Sequence, residues 1–215
     1  MEGSAGRSGQ PEYFEMGDRL RAARRRRHLS LRDLAGRVGL SPSLISQVET
    51  GRAKPSVSTL YAIANELDVS LDELLFNDAA RGSTTPRPTA ATTAGPVQRA
   101  NDRHVIRLAS GVVWERLTTE SVPGIDFLYV TYEVGGASSP EQAFQRHGGH
   151  EWGFVVSGTL GVTIGFDEHV LGPGDSISID STVPHRLYNR GTVPVHGIWF
   201  VLGRRSLDVP GLPDD

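Results

Sequence analysis

None of the 215 residues is a cysteine. Disulfides, thiolate nucleophiles and Cys-type zinc sites are therefore excluded, and any metal must be held by nitrogen and oxygen. Lysine is almost as scarce, since Lys54 is the only one. Long apolar runs are also missing. No segment approaches the roughly 18 to 20 consecutive apolar residues of a membrane span, and the stretch from Met1 to Gln10 is rich in Gly and Ser without the apolar core of a signal peptide. The expected location is the cytoplasm, with no membrane partner. What is present is ordinary globular composition, 38% hydrophobic and 22% charged, in a chain long enough for one large domain or two small ones.

The net charge of −3 conceals an asymmetry. From Arg19 to Lys54 there are ten basic residues against two acidic ones, Asp33 and Glu49, while the rest of the chain is acidic. One end is thus suited to face a polyanion, provided that a motif there organises the charge. Composition also breaks in the middle. Residues 81–96 are rich in Pro, Thr, Ala and Gly and lack any apolar period, as a flexible linker does. Domains are expected on either side of it, with no internal repeat: an N-terminal arm at 1–14, a helical domain at 15–78, a linker at 79–100, a second domain at 101–205 and a tail at 206–215.

Before the linker the signals are helical. Leu20, Ala23, Arg24 and Arg27 share one face by the i, i+3, i+4, i+7 rule, which puts Arg24 among apolar positions, where it needs a buried acidic partner. Ser30 followed by Asp33 reads as a capping box that opens a helix from Leu31 to Val38, with Gly39 ending it. Ser41 and Pro42 start a third helix that runs to about Glu49, with Ile45 and Val48 inward and Ser43 and Gln47 outward, and Gly51 stops it. Pro55 and Ser56 start a fourth with Leu60, Ile63, Ala64 and Leu67 inside. Ser70 with Glu73 caps a fifth that carries Leu71, Leu74 and Leu75.

After the linker the apolar period changes to two. Short segments at 127–132, 152–156, 159–164, 176–179 and 195–202 are rich in β-branched and aromatic residues, and Gly, Pro and Asp punctuate them. No long helical pattern interrupts them, which argues an all-β sandwich or barrel of roughly ten strands.

Two short helices joined by the turn Gly39, Leu40, Ser41, the second presenting small polar side chains outward, form a helix-turn-helix whose second helix would enter the major groove of DNA. The string from Leu31 to Gly51, continued through Pro55 and Leu60 to Leu75, closely resembles the phage-repressor-like (XRE-type) helix-turn-helix family of bacterial regulators. That resemblance implies that Arg24 pairs with Glu49 at the end of the recognition helix. Gln47 can offer its amide bidentately to adenine, and Ser43, one turn earlier, can donate to a base edge or phosphate. Ser30 and Ser41 place helix N-termini where backbone N–H groups meet phosphate, and Arg52 and Lys54 lie just beyond the recognition helix for backbone contacts.

In the second domain, strand alternation puts Gln145, His147 and Glu151 on one side and His150 on the other. His185 follows a turn-like segment at 180–184. Two histidines and a carboxylate from two hairpins are the ligand set of a facial-triad iron site and equally suit nickel, manganese or zinc with an added ligand, for which Gln145 stands ready. Trp152, Phe154 and Trp199 read as core or dimer-contact residues, and Tyr129 and Tyr132 as candidates for lining the pocket. His104, His169 and His196 read as surface or edge residues.

The segment from His147 to Gly158 resembles the first motif of the cupin family, and the segment from Gly174 to Asn189 resembles the second. The resemblance implies a jelly-roll, or double-stranded β-helix, barrel over about residues 101–202, with metal ligands at Gln145, His147, Glu151 and His185. Gln145 replaces a histidine of the family pattern, and Asp180 stands where the second motif usually has proline. The combination resembles a large group of bacterial transcription regulators, which implies a homodimer formed through the cupins, an inverted-repeat operator in double-stranded DNA, and a barrel that senses a small-molecule effector or a metal. The same layout also resembles the iron-dependent epoxidase family of phosphonate antibiotic biosynthesis. That family uses a lysine near the start of the second repressor-like helix, where this chain carries His28.

Overall fold

The computed structural model describes residues 11–75, 95–120, 122 and 124–203. The helical half consists of α1 (Pro11–Arg26), α2 (Leu31–Val38), α3 (Pro42–Glu49), α4 (Val57–Leu67) and α5 (Leu71–Leu75). Each of the expected starts is a real cap. The Ser30 hydroxyl accepts from the Asp33 N–H while Asp33 accepts from the Ser30 N–H, and Ser41 and Ser56 accept from Leu44 and Thr59. Gly39 ends α2 at φ 67°, a left-handed conformation that costs glycine nothing.

The first helix departs from expectation at both ends. It begins at Pro11, so residues 11–14, assigned to an N-terminal arm, are helical, and Tyr13 is buried. The missed signal is the spacing of Tyr13, Met16, Leu20 and Ala23, which extends the inner face by two turns. Arg27, expected on that face, lies past the helix end and is exposed, donating to the Leu67 carbonyl and the Asp68 carboxylate. The linker assignment lies largely outside the described residues, as does the tail at 206–215.

The second half is antiparallel throughout and has nine strands among the described residues. They are β1 (Val105–Arg107), β2 (Val112–Arg116), β3 (Ile125–Tyr132), β4 (His150–Ser157), β5 (Leu160–Ile164), β6 (Asp167–Leu171), β7 (Ser176–Asp180), β8 (His185–Tyr188) and β9 (Val195–Leu202). One sheet has the order β1-β2-β3-β9-β4-β7 and the other β6-β5-β8. Neighbours in this order are often distant in sequence, which is the crossing pattern of a jelly roll. Buried residues alternate with exposed ones along β4 and with half-buried ones along β9, so that Val155, Val195 and Val201 face inward against Leu160, Val162 and Leu187 of the smaller sheet. The apolar interior continues into the helical half, whose Leu20, Leu34, Ile45, Leu60 and Ile63 are all inaccessible to solvent. Among the described residues no helix is long and apolar enough to cross a membrane.

Candidate DNA interface and metal centre

A buried ion pair anchors the recognition helix. Arg24 Nε lies 2.5 Å from Glu49 Oε1 and Nη2 lies 2.9 Å from Oε2, a two-point contact between α1 and the last residue of α3. Nη1 of Arg24 also donates to the Leu29 carbonyl at 2.7 Å, and Arg21 approaches Glu49 Oε2 at 3.3 Å from the rim. Both partners of the central pair are buried. A forked guanidinium matches a carboxylate in both distance and plane, so this contact orients α3 as well as holding it. Gly17 lets α1 come close: a Cβ there would stand 2.6 Å from the Glu49 carbonyl oxygen.

With its inner face anchored by Ile45, Val48 and Glu49, α3 turns Ser43 and Gln47 to solvent, and the Gln47 amide donates to the Ser43 hydroxyl at 3.4 Å. Arg52 and Lys54 are exposed just beyond the helix, and the Lys54 ammonium sits 4.9 Å from the centre of the Tyr13 ring. Ser30 and Ser41 are exposed at their helix starts, their hydroxyls committed to capping, so the free first-turn N–H groups are what they leave for a phosphate.

In the barrel, Gln145, His147, Glu151 and His185 meet as the sequence suggested, but by a different route. Only Glu151 and His185 belong to strands. Gln145 forms an isolated bridge to His185, with both backbone hydrogen bonds at 3.0 Å, and His147 hangs from the loop before β4, tied by its N–H to the Ser181 carbonyl at 3.0 Å. Gly149 at φ 94° turns the chain into β4, and a Cβ there would collide with the Leu202 carbonyl. His150 points away and is exposed.

The geometry of this cluster suits a cation. Glu151 Oε1 is 2.8 Å from His147 Nε2 and 3.1 Å from His185 Nε2, and one ligand atom from each residue falls within 4.8 Å of the others. Each Nδ1 faces a backbone carbonyl, Gly148 at 3.0 Å for His147 and Val183 at 2.9 Å for His185. Donation of Nδ1–H to those carbonyls leaves Nε2 as the lone-pair nitrogen, the tautomer a metal-ligating histidine adopts. The Gln145 amide nitrogen meets the His185 Nε2 lone pair at 2.8 Å, whereas the His147 Nε2 lone pair faces the carboxylate oxygen and needs a proton or a metal ion between them. His147 Nε2 is close to Glu151 without hydrogen-bond geometry and has no other partner, and Gln145 Oε1 is likewise buried and unpaired. The orphaned His147 Nε2 is what an ion at this point would satisfy, and turning the amide over would bring Gln145 Oε1 to the same point. With no ion, burial pulls the His185 pKa down, but the Glu151 carboxylate and the Val183 carbonyl outweigh it and hold it above the ordinary histidine value. Burial likewise pushes Glu151 up, and the two imidazoles overcome this to hold it well below the usual carboxylate range.

Residues 20–74 match the helix-turn-helix family and residues 128–201 match the cupin domain family. The chain belongs to the helix-turn-helix transcription regulators that carry a cupin domain. Among its relatives is the HTH-type transcriptional regulator PuuR of Escherichia coli, 27% identical over 180 residues that span 83% of this chain and 89% of PuuR. The transcriptional regulator ClgR of Mycobacterium tuberculosis is 34% identical over 80 residues, 37% of this chain and 71% of ClgR. A solved HTH_3 family transcriptional regulator from Vibrio cholerae shares the fold, with a TM-score of 0.64 at 20% identity over 90% of this chain and 98% of that one.

Around the barrel site of this regulator the structure adds residues that the sequence pattern missed. Trp199, read as core or dimer contact, donates its indole N–H to Glu151 Oε2 at 2.8 Å, and Ser181 donates to Oε1 at 3.1 Å. Gly153 on β4 makes room for that indole, since a Cβ there would run into the ring. Tyr132 is buried against the same cavity, whereas Tyr129 faces outward beside His196. Trp152 and Phe154 are 41% and 46% exposed, so they are not core. His169 is exposed and His104 is half-buried just before the edge strand β1, whereas His196 is half-buried on β9, a central strand, with its Nδ1 3.1 Å from the Thr131 hydroxyl. His28, the residue in place of the epoxidase lysine, is exposed in the α1–α2 turn at φ 56°.

Proposed function

We propose that this regulator binds an inverted-repeat operator in double-stranded DNA as a homodimer, and that its barrel holds one divalent metal ion and responds to a small-molecule effector. The observation that carries the DNA reading is the locked placement of α3, whose Arg24–Glu49 clamp leaves Ser43 and Gln47 side by side on the open face. Gln47 reads adenine and Ser43 a base edge or phosphate, while Arg52, Lys54 and the helix starts at Ser30 and Ser41 hold the backbone. One short recognition helix reaches too few bases for specificity, whereas two, about 34 Å apart, read a palindromic site. The apolar outer face made by Trp152, Phe154, Ile198 and Phe200 supports pairing of two barrels. A DNA-binding role supports a cytoplasmic location.

His147, Glu151 and His185 would ligate the ion, with the Gln145 amide oxygen as a fourth donor once its side-chain amide is turned over. Iron, nickel, manganese and zinc all accept this donor set. A bound ion supplies a Lewis acid that can hold an oxygen of the effector. The protein's own part is to hold each Nδ1 on a backbone carbonyl, Gly148 or Val183, so that each Nε2 faces the ion, and to fix Glu151 through Trp199 and Ser181. The absent lysine speaks against the phosphonate chemistry of the epoxidase family.

Two experiments decide this reading. Selection from random duplex DNA should return a palindrome, bound by a dimer in sedimentation; recovery of no shared sequence would end the operator proposal. Elemental analysis of untagged protein, purified without chelators, should find close to one transition metal per chain, lost in the His147→Ala, His185→Ala double variant. Absence of metal from the wild-type protein, even after reconstitution, would remove the ion.

A further inference from the structure

The barrel site is not closed by the barrel. Helix α4 of the DNA-binding half lies across its mouth, and the Tyr61 ring stacks face to face on the His147 imidazole, with centroids 4.0 Å apart and planes 3° from parallel. Tyr61 meets Trp114 of β2 edge-on at 6.0 Å. Val57 and Tyr61 share one cavity wall with Tyr132, Gln145, Glu151 and Trp199. The docking is not only apolar. The Ser58 N–H donates to the Ser138 carbonyl and the Ala109 N–H to the Pro55 carbonyl, both at 3.0 Å, and the Tyr13 hydroxyl donates to the Arg107 carbonyl. These bonds bracket α4 at its start and tie α1 to the same side of the barrel.

The cavity between α4 and the barrel, which Gln145 and Glu151 line but His147 and His185 do not, measures about 10 Å³. That is room for about one water molecule, so the space beside the ligand cluster admits no organic compound while α4 is docked. A ligating imidazole binds metal in its ring plane, which leaves both ring faces free, so the stack on Tyr61 and coordination through Nε2 are compatible. An organic ligand that reached the same ligands would have to displace Tyr61. The adjoining face of α4 carries Leu60, Ile63, Ala64 and Leu67 into the helical core, where it packs on α2, which in turn packs on α3, so α4 cannot move far without taking both with it.

We propose that α4 is a lid, closing the barrel site over a single ion by the Tyr61–His147 stack and lifting, with the recognition helix, to admit any larger ligand. The lid rests on the metal-site reading for the ion beneath it, but the stacking geometry exists without one. A ligand that binds only the lifted arrangement shifts the population toward it by its differential affinity, and DNA that binds only one arrangement opposes or assists that shift by the same free energy.

The cysteine-free chain permits a clean lock. Ser58→Cys with Ser138→Cys places two thiols on residues already joined by a backbone hydrogen bond, close enough for a disulfide. In the full chain, two rates are compared between the oxidised and reduced forms of this variant. One is loss of bound Co²⁺ to excess EDTA, followed by the cobalt absorption; the other is carbethoxylation of His147 by diethyl pyrocarbonate in metal-free protein, followed by mass spectrometry. Oxidation should slow both at least tenfold. Tyr61→Leu, which keeps an apolar plug but removes the stack, should accelerate both at least severalfold, with its folding checked by circular dichroism, and it decides the matter if the disulfide does not form. If Co²⁺ does not bind but His147 modification still depends on the lock, the lid stands and the metal reading falls. If Co²⁺ binds and neither rate responds to the lock or to Tyr61→Leu, the metal reading stands and the lid is overturned.

Discussion

Trp199 on β9 donates its indole N–H to Glu151 on β4 at 2.8 Å, across the register pair that aligns Glu151 with Val201 and Gly153 with Trp199. The carboxylate thereby has one oxygen held by the indole and the other turned toward His147 and His185. Partners of this kind in metal sites change affinity by about 10–100-fold when removed. Trp199→Phe, which keeps most of the ring volume, is expected to weaken Co²⁺ binding by that amount with little change in melting temperature. Unchanged affinity in a competition titration would mean that Glu151 is oriented without the indole.

As the proposed fourth donor, Gln145 would set which metal the site prefers. An amide oxygen favours a hard ion such as Mn²⁺, whereas an imidazole favours Ni²⁺ or Zn²⁺. Gln145→His is expected to shift selectivity from Mn²⁺ toward Ni²⁺ and Zn²⁺, read as the ratio of their dissociation constants. An unchanged ratio would place Gln145 outside the coordination sphere, with its observed role limited to its 2.8 Å hydrogen bond to His185 Nε2.

The Arg24–Glu49 pair makes a prediction about stability. Removing one partner of a buried ion pair leaves the other uncompensated and typically costs about 3–5 kcal/mol. Glu49→Ala should therefore destabilise the helical half by about that much, measured by urea unfolding of the full chain under helical circular dichroism. Arg24→Met with Glu49→Leu should recover most of the loss, because apolar residues of similar volume remove both charges at once. A Glu49→Ala variant as stable as wild type would contradict the burial of the pair.

The proposed roles of base reading and backbone holding fall on two exposed side chains, Gln47 and Arg52. Gln47→Ala should relax preference at one base step, costing about 1–3 kcal/mol on the selected site and little elsewhere. Arg52→Ala should weaken binding to every sequence and lower the salt slope by about one. Fluorescence anisotropy on matched and scrambled duplexes at several salt concentrations distinguishes them, and equal losses on all sequences for both variants would refute the assignment of Gln47.

On the outer face of the large sheet, Trp152 and Phe154 alternate with buried Glu151 and Val155 and sit beside Phe200 and Ile198 of β9. Trp152→Glu with Phe154→Glu places two charges on that face without touching the interior. The variant is expected to sediment as a monomer and to lose affinity for the palindrome while still binding a half-site weakly. A dimer that survived both changes would locate the interface elsewhere.

Local signals read the helical half well because caps and apolar periods are short-range. Ser30, Ser41 and Ser56 mark helix starts within a few residues, and Arg24 among apolar positions announces a buried acid before Glu49 is located. At Tyr13 only an extension of the apolar period marks the helix, with no cap to fix its start, so the sequence places the start of α1 too late. Strand parity put Gln145, His147 and Glu151 on one side, but the folded chain brings them together otherwise: Gln145 bridges to His185, and Gly149 at φ 94° turns the chain into β4 after His147.

Composition and periodicity thus established two halves of different class, a recognition helix with named outward residues, and a set of four candidate ligands. Trp199 beneath Glu151 and Tyr61 over His147 needed the folded chain. Both contacts join residues far apart in sequence, one through the pairing of β4 with β9 and the other through docking of α4 on the barrel. Neither a period nor a cap carries information about such pairings, which depend on how whole elements pack once the chain has closed.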